Sequence, residues 1–246
     1  MPISSLSAAQ IAALPATIIQ GLSVTEIQSL SSTQVGAINT SGIAVIDATQ
    51  LAALSPTQVR GLTATQIPQF QSTLVFGTSQ LLVLNNQQFA SLTSTQLDNF
   101  DVTHIGVLTG TQIGAVNATS FSSLNATQIH TLNTTQVQGL SVTELRGLTT
   151  TDVGEFVDTQ IAAFSATQIG ALNATNFSTL DATAIGALNA TQLAGVTTTQ
   201  LAGITSGALS DLSSTQIGKL ATTQLGALTT TSLSSLDTTQ VSGLTP

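Results

Sequence analysis

The chain has 246 residues, 41% of them apolar, and sets three basic side chains, Arg60, Arg146 and Lys219, against eleven acidic ones for a net charge of −8. That balance excludes nucleic-acid binding, which rests on Lys and Arg neutralising phosphates, and without Trp or Tyr there is little aromatic surface for stacking bases or sugars. The lack of cysteine excludes a disulfide framework, a thiolate metal site and a thiol nucleophile.

The first twenty residues, MPISSLSAAQIAALPATIIQ, have no basic n-region, so no secretion signal is expected. No apolar run approaches the roughly 18 residues of a membrane span, so no membrane insertion is expected. From Ile3 the chain divides into eights, positions a to h: ISSLSAAQ, IAALPATI, IQGLSVTE, IQSLSSTQ, and onward through VRGLTATQ to IPQFQSTL at Leu74. The stretch VFGTSQ, residues 75–80, is two residues short of a unit, and the phase resumes at Leu81 with LLVLNNQQ and runs to VSGLTP. The expectation is a single octapeptide-repeat domain over 1–246 with an irregular unit at 75–80. Branched aliphatic residues at fixed intervals argue against a disordered Ser/Thr/Gln-rich tail.

An a-to-d spacing of three cannot line one face of a simple alternating strand. In one continuous helix eight residues advance about 800°, so the apolar stripe would drift and never form a seam. A short helix restarted every eight residues fits both constraints. Position e is Ser, Thr, Asn or Asp in 26 of the 30 regular units, the exceptions being Pro15, Gln71, Val157 and Ala221, and this marks e as a helix N-cap. Position h, three residues later, is most often Gln or Glu, so Ser23 with Glu26 and Thr63 with Gln66 read as capping boxes. Positions d and a then form hydrophobic staples, as in Leu22 with Ile27 and Leu132 with Val137. Glycines at b and c, such as Gly61, Gly139 and Gly147, are expected to supply left-handed exits.

A helix of about six residues is far below the roughly 12 to 15 needed for marginal stability alone. Stacking on neighbouring units must supply the rest. The fold class expected is all-α, a solenoid of short one-to-two-turn helices built from about thirty octads, with a and d inward and e to h on or near the outer edge. The alternative is a β-solenoid, since Thr, Ile and Val are good strand formers. A slower period of seven octads relates IGAVNATSFSSLNATQ (113–128), IGALNATNFSTLDATA (169–184) and LGALTTTSLSSLDTTQ (225–240), either by duplication of a block or as a turn of the superhelix.

LTATQI (62–67), VTTTQL (196–201) and LATTQL (220–225) resemble the Leu-Thr-Thr-Gln-type octapeptide tandem repeats of large bacterial surface or secreted proteins. The resemblance covers essentially the whole chain. It implies an extended extracellular or cell-surface fibre, stalk or adhesin segment, and it transfers no functional residue.

Candidate chemistry is sparse. His104 and His130 stand alone in their units, with no third ligand for a metal. Asp152, Glu155 and Asp158 lie three apart but lack the Gly-containing acidic loop of a calcium site, so Ca²⁺ is not expected. No G-x-S-x-G elbow is present, and neither an enzyme, a cofactor nor a metal is expected. Asn117, Asn125 and Asn189 fall in glycosylation sequons that capping alone explains.

Threonine fills g in 25 of the 29 complete units although β-branched residues are not favoured in helices, so something beyond propensity keeps it there. One reading is local bonding of the hydroxyl or ladders between units. The other is a regular surface row: Thr95, Thr103, Thr111, Thr119, Thr127, Thr135, Thr143, Thr151, Thr159, Thr167, Thr175, Thr183, Thr191 and Thr199. Three functions follow. The first is a structural fibre, stalk or self-assembling filament whose partners are other copies, joined end to end or laterally, or other surface proteins. The second is an ice-binding or surface-adsorbing module using the Thr row. The third is a partner-binding solenoid using Phe76, Asn85, Asn86, Gln87 and Gln88 around the irregular unit.

Overall fold

The computed structural model describes residues 2–244. Among these residues the regular structure is entirely helical: α-helices of four to six residues and two short 3-10 turns, with no strand. The fold is therefore the all-α solenoid of short helices, and the β-solenoid alternative does not apply. Contacts divide the chain into two compact units, Met1–Leu124 and Asn125–Pro246.

Each helix begins where the octad places its start signal. Ser23 Oγ accepts from the Glu26 amide at 3.3 Å while Glu26 Oε2 accepts from the Ser23 amide at 2.9 Å. Asp47 and Gln50 make the same reciprocal pair at 2.8 and 3.1 Å. Where e has no side-chain acceptor, as at Gly77, Val157 and Ala221, only the return bond from the cap amide to the h glutamine is made. The Thr63 box is altered. Gln66 Oε1 still takes the Thr63 amide, but the Gln66 amide donates to the Thr63 carbonyl, and the unit closes as a 3-10 turn over Ile67–Gln69. Pro68 lacks the N–H that an α-helical bond would need there.

The far end of each helix closes without left-handed backbone. The amide of d donates to the carbonyl of a, as Leu30 to Ile27 at 3.2 Å, and d and e are then extended, with Leu30 at ψ 141° and Ser31 at ψ 161°. No described residue, glycine included, has positive φ. The expected left-handed glycine exits are therefore not made. Glycine serves close approach instead: a Cβ on Gly61 would lie 2.1 Å from the Ser32 carbonyl oxygen, and one on Gly195 would lie 2.2 Å from that of Ala166. Helices of successive coils meet there backbone to backbone.

Three helices make one coil. In the first unit Ser32–Ala37 packs on Ala8–Ala12, and Pro56–Val59 packs on Ser32–Ala37, so the step from Ser32 to Pro56 is three octads. In the second unit Val142–Gly147, Ala166–Ala171 and Ala190–Gly195 form one such stack, and Ala174–Ser178, Thr198–Ala202 and Thr222–Leu225 another. Positions a and d fill the interior; Leu22, Ile27, Leu132 and Val137 are all buried.

The irregularity is absorbed inside one coil. Residues 77–80 already form a regular cap and first turn of the helix Thr78–Leu81, so the two-residue shortage falls in 71–76, where no helix forms. Phe70 and Phe76 close the gap edge to face, with ring centroids 5.2 Å apart.

Candidate functional surface

Position h is the largest departure from the expected outer edge, because its glutamines, Gln10 excepted, are buried. Within each unit these buried side chains reach into the preceding coil. Gln58 Nε2 donates to the carbonyls of Ile27 at 2.7 Å and Leu30 at 2.8 Å, positions a and d of the unit 31 and 28 residues back. In the second unit Gln160, Gln200 and Gln224 repeat the contact at the same two spacings. The same amide accepts from its own cap N–H, as Gln200 Oε1 does from Thr197 at 2.7 Å. One side chain thus satisfies an orphan donor at the start of its helix and orphan acceptors at the end of a helix in the coil before. Across the shortened coil, Gln80, Gln88 and Gln96 reach 29 and 26 residues back instead, and Gln112 returns to 31 and 28. The contact survives the loss of two residues.

In two octads without glutamine at h, an asparagine at e takes over. Asn39, with Gly42 at h, donates to the Ala12 and Leu14 carbonyls, both at 2.9 Å. Asn117, with Ser120 at h, bonds Ala90 and Leu92 in the same manner. The asparagine of the 117–119 sequon therefore has its amide engaged between coils.

All fourteen threonines of the proposed row are exposed. Because a coil holds three octads, the row divides into columns whose members are three octads apart; in the second unit one runs Thr127, Thr151, Thr175, Thr199 and another Thr143, Thr167, Thr191. Among the described residues the only g threonine hydroxyl bonded within the chain is that of Thr65, 2.9 Å from the Thr63 hydroxyl. Neither local bonding nor ladders between units accounts for the row.

Two glutamates stand at h, and they differ. Glu26 in the first coil is exposed, and hydrogen bonds from the Ser23 amide and hydroxyl hold its carboxyl below the ordinary value. Glu144 is 1% exposed. Its Oε2 accepts from the Ser141 amide at 2.6 Å and its Oε1 is buried without a partner. Burial pushes this carboxyl up to about 7, against the opposing Ser141 hydrogen bonds.

His104, at h in its own unit, turns back to Asp101, with Nδ1 2.7 Å from Oδ1, and its ring lies 5.7 Å from that of Phe100. The His104 amide bond, more than the imidazole, holds the Asp101 carboxyl below the ordinary value. Of the acidic trio, Asp152 completes the Thr149 capping box, its Oδ2 taking the Thr149 amide at 2.7 Å. Glu155 is pushed up by burial and by Asp152, with His130 opposing, so the fold brings His130 toward Glu155. Among the described residues no group of three His, Asp or Glu side chains is placed to hold a metal ion. Of the residues around the irregular unit, Phe76 and Gln88 are buried and Asn85 caps its helix through the Gln88 amide, while Asn86 and Gln87 face solvent. The first three are used by the fold.

These features define an all-α repeat solenoid whose coils are clamped by buried amides and whose surface carries columns of free hydroxyls. No helix among the described residues is long and apolar enough to cross a membrane. Comparison with known proteins finds no family model that matches the chain and no curated protein similar to it.

Proposed function

We propose that this chain is a non-catalytic structural repeat protein, a segment of an extended extracellular or cell-surface fibre, stalk or self-assembling filament of bacterial origin. The observation that carries the reading is the clamp from h to the a and d carbonyls. Within each unit it joins successive coils by the same contact, so the arrangement has no built-in length. The first described coil presents an exposed Gln10, whose Oε1 takes the Ser7 amide at 2.8 Å and whose Nε2 is free. The last presents Leu233 and Val241, 42% and 49% exposed, at positions buried in interior coils. A further coil laid on either surface, from this chain or from another copy, would repeat the internal contacts. The octad words shared with bacterial surface repeats support the setting. Electron microscopy and sedimentation at rising concentration test the assembly: end-joined or laterally associated particles are expected, and single-chain particles at every concentration would overturn self-assembly.

A second reading rests on the threonine columns. Exposed hydroxyls with no partner in the chain, repeated at the step of a coil, form a regular array that suits ordered water or an ice surface. Thermal hysteresis and ice shaping measure this. Converting Thr127, Thr151, Thr175 and Thr199 together to Lys should abolish both, and a wild-type chain without hysteresis refutes the reading.

A further inference from the structure

In several octads of the second unit h carries no amide, among them Ala184, Ala208 and Ser232, and at Ala184 a cavity stands in place of the clamp. The helix Ala182–Gly186 has its cap, Asp181, whose Oδ1 accepts from the Ala184 amide at 2.8 Å. At h, however, stands the buried Ala184 rather than a glutamine. Counting back 31 and 28 residues, as for Gln160 and Gln200, leads to Val153 and Phe156. Both line a cavity of about 230 Å³ that Ala184 also lines.

The hydrogen-bonding groups that a glutamine amide would satisfy are left over around this space. The Phe156 carbonyl accepts no bond within the chain, and the Val153 carbonyl accepts only from neighbouring amides of its own turn. The Asp181 amide, which an h side chain would accept, has no acceptor within the chain. One donor and two acceptors, set as in the filled coils, are the complement of a primary carboxamide. Gly154, an exposed residue, also lines the cavity, and a Cβ there would meet nothing within 4 Å.

We propose that this cavity binds a primary carboxamide on a short aliphatic stem, the amide oxygen accepting from the Asp181 N–H and the amide nitrogen donating to the Phe156 and Val153 carbonyls. Ile161 and Leu180 supply apolar wall for the stem. The carboxylates of Asp158 and Asp181 also line the cavity, so a stem bearing an ammonium group is favoured and one bearing a carboxylate is rejected. The volume is below the range of about 300–1,000 Å³ usual for drug-sized ligands, which restricts the occupant to a small amide or a single side chain. Such an amide could be a free molecule or the glutamine side chain of another polypeptide.

The test is a titration of the ¹⁵N-labelled full chain with β-alaninamide, following the amide signals of Gly154, Asp181 and Ala184. Saturable shifts confined to the cavity are expected, together with no such response to N,N-dimethyl-β-alaninamide, which keeps the ammonium but whose amide cannot donate. Ala184→Gln supplies its own amide and should lower affinity by about tenfold or more while raising the melting temperature. Gly154→Leu fills the space without an amide, should lower affinity equally, and serves should the first variant fail to fold. The peptide Gly-Gly-Gln-Gly-Gly, run in parallel, separates the two sources: tighter binding than β-alaninamide assigns the site to a side chain, and weaker binding to a free amide. No saturable shift with either probe, an equal response to the dimethyl amide, or undiminished binding by both variants would overturn the proposal.

Discussion

Replacing Gln200 by Met isolates what the clamp contributes. Methionine is close in volume and apolar, so the packing is retained and the hydrogen bonds are lost. Gln200 now takes the Thr197 amide at 2.7 Å and gives its own protons to the Ile169 and Leu172 carbonyls at 2.7 and 2.8 Å. The Ile169 carbonyl keeps a partner, since the Leu172 amide donates to it at 3.3 Å. The Thr197 N–H and the Leu172 carbonyl are left with none. At about 1–3 kcal/mol for each orphaned group, the substitution should destabilise the second unit by about 2–6 kcal/mol. Urea unfolding followed by circular dichroism measures the loss. Amide exchange should localise it to the two helices the clamp joins, Ala166–Ala171 and Thr198–Ala202, because a solenoid is stabilised by nearest-neighbour terms. Gln10→Met is the control: that side chain caps its own helix but reaches no carbonyl of another coil, so the cost should stay below about 1 kcal/mol. Equal stability of the two variants would refute the clamp.

The other expectations follow from the same contacts. Glu144, raised to about 7, binds its proton more tightly folded than unfolded, so its stabilising contribution is complete below the ordinary carboxyl range and is lost as pH rises toward 7. Over that window the loss is about 3 kcal/mol; Glu144→Gln should remove it and leave the variant more stable than wild type at pH 8, and an unchanged pH profile in urea melts would count against the assignment. Gly195→Ala places a Cβ 2.2 Å from a backbone oxygen and should cost about 1–3 kcal/mol or more through forced separation of two helices. Gly186→Ala meets nothing within 4 Å and should gain up to about 1 kcal/mol; if thermal melts rank the two glycine variants the other way, the close approach is wrong.

What was legible in the sequence is what a single octad decides. The cap at e, the return contact from h and the buried a and d positions depend on residues within one octad of one another, and the pattern states them directly. The number of octads per coil depends on how the extended residues at d and e redirect the chain, which no local pattern encodes. A trace of it was nevertheless present. A capping box alone accepts Glu as well as Gln, yet glutamate stands at h only at Glu26 and Glu144. That bias asks for a side chain that donates, and the structure supplies the acceptors in the coil before. Glycines carry a second trace: Gly36 with Gly61, Gly170 with Gly195, and Gly218 with Gly243 are each separated by three octads and one further position, and each pair meets at a contact between coils. Read for glycine exits, that spacing was invisible; read for close approach, it gives the coil length to within a single position.

The seven-octad period now has a single reading. Seven octads are not a whole number of three-octad coils, so sequence copies made at this spacing land on different sides of the solenoid. In the second unit Ile169 belongs to the stack containing Ala166–Ala171, whereas Leu225, seven octads on, belongs to the stack containing Thr198–Ala202. A turn of the coil would return equivalent residues to one side, so the period is not such a turn, and duplication of a block is the reading that fits it. Residues related by descent are therefore separated from residues related by contact. Such a shift is harmless only where the contacting groups are the same in every octad, and the clamp meets that condition, because its acceptors are backbone carbonyls that any residue at a and d provides. A side-chain-to-side-chain clamp would have required matched partners in every third octad and would have been scrambled by each duplication. The same reasoning places Ala184 in context: losing one amide leaves its carbonyl acceptors intact, so the fold loses a clamp and retains a ready-made receptor for the group that is gone.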